Sequence, residues 1–196
     1  MAIKKFELNR QIFHLALGIG IVIMLMYGII TKEAILLAII TGFILSVLSR
    51  RLKIPIINQL LQKFERKKDI KNFPGKGIIF YLAGVYISLF LFPTEIAMAS
   101  ILVLALGDSV SHIYGLHFGK INHPLSKTKF LEGTIAGFAA GFAGALICLP
   151  WHEAFFASLA AMIAEAIEIK IGAEQVDDNL IMPIVAGAVV WVVRNF

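Results

Sequence analysis

A group of polar and small residues interrupts the apolar chain between positions 106 and 133. It contains an acid at the end of an apolar run, four glycines, three lysines and a glutamate: Asp108, Gly107, Gly115, Gly119, Gly133, Lys120, Lys127, Lys129 and Glu132. Carboxylates can hold a divalent cation, and lysines beside backbone amides that glycine exposes can bind phosphate. Because polar residues are costly to keep near lipid, such a cluster is typically functional. The pattern predicts phosphate chemistry at a membrane surface.

Asp108 is the residue that we expect to bind magnesium. We place it near the inner end of a membrane span, with Ser111 and His112 one turn further along on the same face. A helix C-terminus disfavours a carboxylate because the dipole there is already negative, which argues against a capping role. A hard oxygen ligand that holds Mg²⁺ beside substrate phosphates accounts for the aspartate better.

Two lysine-bearing turns are the expected phosphate contacts. Lys127-Thr128-Lys129 precedes Glu132-Gly133, where a helix is predicted to begin and to leave backbone N–H groups unpaired. Glu132 suits that first turn, and we expect it to order the lysine loop or to reach a metal. Pro74-Gly75-Lys76-Gly77 opens another span on the same side, although its spacing is not that of a Walker loop.

Further acids precede the last predicted span. Glu165 and Glu168, spaced i, i+3, share one face of a helix and must avoid lipid. Asp177-Asp178-Asn179 follows; one of these residues is expected to cap the next helix, and at least one to bind metal or substrate. Near the N-terminus, a stripe of Glu7, Arg10 and His14 is explained either by an ion pair with an interior histidine or by a part in the site.

Hydropathy puts all these residues in an integral membrane protein. Mean hydropathy is +0.84, and only 16% of residues are charged. Seven apolar runs predict an all-α transmembrane helix bundle in one domain, 1–196, with the first run retained rather than cleaved as a signal peptide. The predicted spans are 12–30, 34–49, 78–92, 95–115, 131–149, 153–170 and 180–194. The single cysteine, Cys148, excludes an intrachain disulfide.

The distribution of basic residues predicts a cytoplasmic N-terminus. With that orientation, all of the 18 Lys and Arg residues except Lys32 and Arg194 lie on the inner side. The net charge of +5 therefore needs no nucleic-acid partner to explain it. The same topology brings the polar motifs to the inner face, which predicts one cytoplasmic-side site built from four segments.

Two other patterns concern packing and the membrane surface. Gly133, Gly137 and Gly141 recur every four residues, which allows a neighbouring helix to approach closely. The segment 59–68 has apolar residues at helical spacing, so it is either an amphipathic helix on the inner leaflet or an ordinary basic loop.

These motifs resemble those of the polyprenol kinase family, which includes dolichol kinases, phytol kinases and CTP-dependent diacylglycerol kinases. The resemblance covers most of the chain and rests on Glu7-x-x-Arg10-x-x-x-His14, Pro74-Gly75-Lys76-Gly77, Gly107-Asp108 with Gly115 and Gly119-Lys120, Lys127-Thr128-x-x-x-Glu132-Gly133 and Asp177-Asp178-Asn179. It implies CTP, or less often another nucleotide, as phosphoryl donor and Mg²⁺ as cofactor. The segment from Ser126 to Gly133 also resembles the C-terminal signature of CDP-diacylglycerol synthases, which are generally longer.

We therefore expect a multi-pass membrane kinase that moves the γ-phosphoryl of CTP to the hydroxyl of a polyprenol, a phytol-like alcohol or a diacylglycerol-type lipid. Mg²⁺ would be held by Asp108 with Asp177 or Asp178. The expected catalytic residues are Asp108, Lys127, Glu132 and Asp178. The expected nucleotide-binding residues are Lys76, Gly107, Gly115, Gly119, Lys120, Lys127, Thr128, Lys129 and Gly133. The general base stays open among Asp108, Glu165 and Glu168, as do the lipid and the oligomeric state.

Two other functions compete with this interpretation. A cytidylyltransferase joining CTP to phosphatidate would use similar groups but would attack the α-phosphorus and release pyrophosphate. A small ion-coupled transporter would need acids at the membrane midplane and matching interrupted helices, whereas the acids here gather at one face.

Overall fold

Helices make up most of the residues that the structure describes. The computed structural model describes residues 2–51, 55–126, 128–167, 170–171 and 174–195. The helices are α1 (Ala2–Met26), α2 (Lys32–Arg51), α3 (Pro55–Phe64), α4 (Lys67–Asn72), α5 (Lys76–Leu91), α6 (Thr94–Leu102), α7 (Ser109–Phe118), α8 (Leu131–Ala145), α9 (Trp151–Ala166) and α10 (Asp178–Asn195). A π-helical segment, Val103–Asp108, joins α6 to α7. Between α9 and α10, two short antiparallel strands pair: β1 (Lys170–Ile171) and β2 (Glu174–Gln175).

Three helical stretches in the described residues are long and apolar enough to cross a membrane. They are Phe6–Met26, Lys32–Arg50 and Thr94–Phe118, and the helix Lys76–Leu91 is apolar but shorter. Each of the seven predicted spans overlaps one long helical stretch. The prediction of an all-α protein with apolar spans is confirmed, whereas the number of crossings and the orientation stay predictions.

The stretch from Thr94 to Phe118 forms the centre of the bundle. Ile96, Ile101, Val103 and Leu104 are almost wholly buried there, because α1, α8, α9 and α10 pack around it. By contrast, α2 packs mainly against α5, and most of its described side chains are exposed. The apolar exposed face of α2 is what a lipid-facing helix presents.

The π-helical segment changes the setting of Asp108. The helix continues from this segment to Phe118, so Asp108 lies ten residues, or about 15 Å, before its C-terminal end. Contrary to the expectation from the sequence, the helix dipole does not disfavour a carboxylate at Asp108, since the terminal carbonyls are too far away. π-Helical turns are rare, and those within α-helices are frequent at functional sites.

Glycines allow α8 to lie directly against the central helix. A Cβ atom on Gly133 would stand 2.6 Å from the Ser111 carbonyl oxygen, and one on Gly137 would stand 2.6 Å from the Gly107 carbonyl oxygen. Gly141 is also at this contact, with its Cβ position 2.8 Å from Ser158 Oγ. The close approach expected from the four-residue glycine repeat is present.

Gly133→Ala is expected to lower the free energy of unfolding by about 1–3 kcal/mol, because the new methyl group meets rigid backbone. The measurement is thermal unfolding of the purified protein in detergent, followed by tryptophan fluorescence. Gly20→Ala is the matched control, since nothing lies within 4 Å of its Cβ position. An unchanged melting temperature for Gly133→Ala would contradict the contact.

A separate ion-pair cluster lies at the end of the bundle far from Asp108. Arg194 donates to both carboxylate oxygens of Glu153, at 3.1 and 2.6 Å, and also pairs with Glu95. Glu153 is buried, so Arg194 compensates a charge that would otherwise be costly. The cluster ties together α6, α9 and α10 and is a structural feature.

Candidate active site

A large polar cavity opens where α9 ends and α10 begins. Its volume is about 1210 Å³, and its walls come from α1, from the stretch 64–80, from the central helix and from the loops before α8 and α10. The expected site residues that line it are Lys76, Asp108, Thr128, Lys129, Asp177 and Asp178. Arg10, His14 and Glu165 line it as well. Residues that are distant in sequence thus share one concave surface.

Several other expected site residues lie away from this lining. Gly107, Gly115 and Gly133 are at the contact between the central helix and α8, and Gly119 lies against the ring of Phe130. Lys120 is exposed on the loop that follows α7. Lys127 and Glu168 lie outside the described residues. Phosphate binding by these residues stays a prediction.

Lys129 joins three elements at the cavity wall. Its Nζ lies 2.8 Å from Glu165 Oε1 and 3.0 Å from Asp178 Oδ2, and it also donates to the Glu165 carbonyl oxygen. Burial disfavours the charged ammonium, but the two carboxylates outweigh this effect and raise the pKa of Lys129 above its ordinary value. Lys129 therefore stays positively charged and holds the end of α9 beside the start of α10.

Asp177 caps α10. Its Oδ1 accepts hydrogen bonds from the Asn179 backbone N–H at 3.1 Å and from the Asn179 side chain at 2.8 Å. This is the cap that the sequence led us to expect from one residue of the motif. Burial raises the pKa of the Asp177 carboxyl, and the nearby charge of Asp108 adds to the rise.

The acidic residues of the cavity are suited to bind a magnesium ion whose remaining ligands come from substrate phosphates and water. Among the described residues, no group of three or more His, Cys, Asp and Glu side chains is arranged to hold a metal ion. Asp108, Asp177 and Asp178 nevertheless line one cavity. Mg²⁺ is commonly bound through one or two carboxylates, substrate phosphates and water, and this donor set suits that mode.

Glu7 connects α1 to two other parts of the cavity wall. Its carboxylate lies 3.0 Å from Arg10 Nε, 3.3 Å from Arg66 Nε and 3.3 Å from His112 Nε2. The expected Glu7–Arg10 pair is present, and it belongs to a larger network. His14 is buried one turn further along α1, with its ring 5.2 Å from that of Tyr81. The N-terminal stripe thus helps to build the cavity.

Glu132 orders the loop between α7 and α8. Its carboxylate accepts the backbone N–H of Lys120 at 3.2 Å and that of Ile121 at 3.1 Å. Of its two expected roles, this geometry matches ordering of the loop. The contact positions the segment that carries Lys120 relative to the start of α8.

Comparison with curated proteins gives relatives along nearly the whole chain. A protein of Methanocaldococcus jannaschii with no assigned function is 33% identical over 191 residues, which cover 94% of this chain and 92% of that protein. The CTP-dependent diacylglycerol kinase 1 of Schizosaccharomyces pombe is 28% identical, over 97% of this chain and 94% of its own length. A probable phytol kinase 2, chloroplastic, of Oryza sativa subsp. japonica is 26% identical, over 91% of this chain and 63% of its own.

The chain belongs to the polyprenol kinase family. No family model matches it, and no solved structure matches it either. Relatives named as diacylglycerol and phytol kinases support a lipid kinase, and the membrane-length apolar helices agree with a membrane enzyme.

In this member of the polyprenol kinase family, one acidic residue that lines the cavity, Glu65, was not predicted from the sequence motifs. Its side chain is buried and lines the polar cavity, and its Oε1 accepts the Gly77 backbone N–H at 3.2 Å. Gly75 precedes this contact with φ of +80°, a conformation that favours glycine. The available signal was that Glu65 is the single acid in an otherwise basic stretch, 50–68, directly after the apolar residues of α3.

Proposed function

We propose that this protein is a CTP-dependent kinase that phosphorylates the hydroxyl of a lipid alcohol at the cytoplasmic face of the membrane. The observation that carries the proposal is the open polar cavity, where acids suited to Mg²⁺ and cations suited to phosphate line one surface of an apolar helix bundle. The relatives named as lipid kinases support the reaction class.

Phosphoryl transfer needs alignment and charge neutralisation more than covalent help from the protein. The lipid oxygen bonds to the γ-phosphorus, the bond from that phosphorus to the β,γ-bridging oxygen breaks, CDP leaves and the hydroxyl proton is released. Bound Mg²⁺ would neutralise phosphate charge, held by Asp108 with Asp177 or Asp178. Lys76 and Lys129 contribute positive charge, and we retain Lys127 and Thr128 as phosphate contacts.

The proposed topology has seven spans, one domain and a cytoplasmic N-terminus. The concentration of basic residues in the segments around the cavity supports this orientation, since cytoplasmic loops are enriched in Lys and Arg. The nucleotide would then reach the cavity from the cytoplasm, while the lipid alcohol would arrive from the bilayer. Polyprenols, phytol-like alcohols and diacylglycerols are the acceptor classes to test.

The test supplies purified protein in liposomes with Mg²⁺, a mixture of lipid alcohols and CTP labelled at either the γ- or the α-phosphorus. The proposal predicts that the γ-label, and not the α-label, enters the lipid fraction. Incorporation of the α-label into lipid with release of pyrophosphate, in the presence of phosphatidate, would instead identify a cytidylyltransferase. Phosphoryl transfer from ATP but not from CTP would identify ATP as the donor. Ion flux across the liposome membrane without any nucleotide consumption would refute the proposal that the protein is an enzyme.

A further inference from the structure

A second, apolar cavity lies beside the polar one. Its volume is about 240 Å³, and its walls come from α1, α2, α3 and α5. The lining is almost entirely hydrocarbon and includes Leu45, Leu61 and Ile79. We call this cavity the apolar groove. It is bordered by α2, the least buried of the three membrane-length helices, and by the amphipathic helix α3.

The apolar groove is continuous with the polar cavity. Phe13, Phe64, Glu65 and Ile78 line both of them. The rings of Phe13 and Phe64 stack with their centroids 4.8 Å apart, so this boundary is built by α1 and α3 together. An elongated ligand with an apolar body and a polar end can therefore lie across the boundary, with each part in a matching environment.

Glu65 is the one ionisable side chain, among the described residues, that lines both cavities. It is only 7% exposed, and the Gly77 N–H engages its Oε1 at 3.2 Å. That contact fixes the carboxylate at the junction of the two cavities. A carboxylate held in this way is a strong hydrogen-bond acceptor for a hydroxyl group.

We propose that the apolar groove holds the hydrocarbon chain of the acceptor alcohol and that Glu65 accepts a hydrogen bond from its hydroxyl. The inference rests on the proposed lipid kinase function and specifies where the acceptor binds. Glu65 is a positioning residue that holds the hydroxyl oxygen towards the polar cavity. Burial raises the pKa of the Glu65 carboxyl, as expected for an acid at an apolar boundary.

A hydrocarbon chain is the occupant that fits this groove. An extended peptide would bring backbone N–H and C=O groups that the apolar walls could not satisfy. Because membrane lipid is as apolar as the groove, the groove contributes orientation more than affinity. We therefore expect changes in the groove to alter which chain lengths react, and changes at Glu65 to alter discrimination for the hydroxyl.

The first experiment measures binding without catalysis. A long-chain alcohol with a diazirine on its chain, and its O-methyl ether, are photo-crosslinked to the protein in phosphatidylcholine nanodiscs without nucleotide, and the adducts are mapped by mass spectrometry. We expect adducts of the alcohol on α2, α3 and α5 that excess unlabelled alcohol removes. The ether should label these helices less. Equal labelling by alcohol and ether, or adducts spread over all lipid-exposed helices, would overturn the proposal.

Variants test the two parts of the proposal separately. Ser46 is a buried wall residue of the groove, so Ser46→Phe should shorten the groove and abolish adducts of the long probe. Val47→Phe is the matched control, since Val47 is exposed on the same helix and is not part of the groove lining. Loss of adducts in both variants, or in neither, would contradict binding of the hydrocarbon chain in the apolar groove.

Glu65→Gln keeps an oxygen that can accept the Gly77 N–H but removes the charge. We expect an unchanged melting temperature, loss of the preference for alcohol over ether, and a kcat for lipid phosphorylation lowered by roughly 10²-fold with KM for CTP unchanged. Glu33→Gln, at an exposed position, is the control. A Glu65→Gln variant that keeps the alcohol preference would refute the role of Glu65.

The failure of this binding proposal can be distinguished from failure of the proposed kinase function. If the wild type captures the alcohol in the groove but phosphorylates no lipid, the binding proposal stands and the kinase proposal fails.

Discussion

Asp108→Asn is expected to lower kcat for phosphoryl transfer by at least about 100-fold, because it removes a charged oxygen ligand from the proposed Mg²⁺ site. Asparagine has nearly the same shape, so the helix that continues to Phe118 should remain intact. The measurement is γ-label transfer to lipid at a series of Mg²⁺ concentrations, with circular dichroism to verify the fold. We expect the transfer rate of Asp108→Asn to recover partly at high Mg²⁺ concentration, since a weakened site still binds the ion when enough of it is present.

The control for this prediction is Glu33→Gln, which makes the same change from carboxylate to amide at an exposed site on α2. It should transfer phosphate at the wild-type rate. If Asp108→Asn kept wild-type activity and the wild-type Mg²⁺ requirement, Asp108 could not be a metal ligand. The metal would then have to be held by the acids at the start of α10.

Lys129→Met is expected to lower both stability and activity. The substitution removes the ammonium group between Glu165 and Asp178, and it leaves Glu165 buried at 4% exposure without its 2.8 Å partner. An uncompensated carboxylate at such a site costs about 2–4 kcal/mol, a value reduced from fully buried pairs because Lys129 is partly exposed. Transfer to lipid should fall at least about 100-fold, because the loss of positive charge also affects phosphate binding. Thermal unfolding and label transfer measure the two effects.

The double variant Lys129→Met/Glu165→Gln separates the two roles of Lys129. Removing the buried negative charge should recover most of the lost stability, whereas transfer should stay low if Lys129 also neutralises phosphate. Full recovery of transfer in the double variant would mean that Lys129 acts only on Glu165. Lys32→Met, at an exposed position at the start of α2, is the control for loss of a lysine.

Much of the candidate site was predictable because the signals are local in sequence. Asp108 stood out as an acid after an apolar run, and Asp177-Asp178-Asn179 as a cap in front of an apolar helix. Both segments line the cavity. Glu65 was not predictable in this way, since its role depends on burial and on the N–H of Gly77, which is contributed by another helix. Partners of this kind are set by packing between helices.

From the sequence alone one could predict the class of the protein, the positions of its seven apolar helical stretches and the grouping of its polar motifs, although α1 begins ten residues before the predicted span. These properties follow from hydropathy and from the distribution of charge, and each is a sum over neighbouring residues. Only the tertiary structure decided how individual side chains are used. It paired Lys129 with Glu165 and Asp178, put a π-helical segment before Asp108, and turned Gly107 and Gly133 towards a helix contact. The physical reason is that ion pairs and close contacts depend on distances of a few ångströms between segments far apart in the chain.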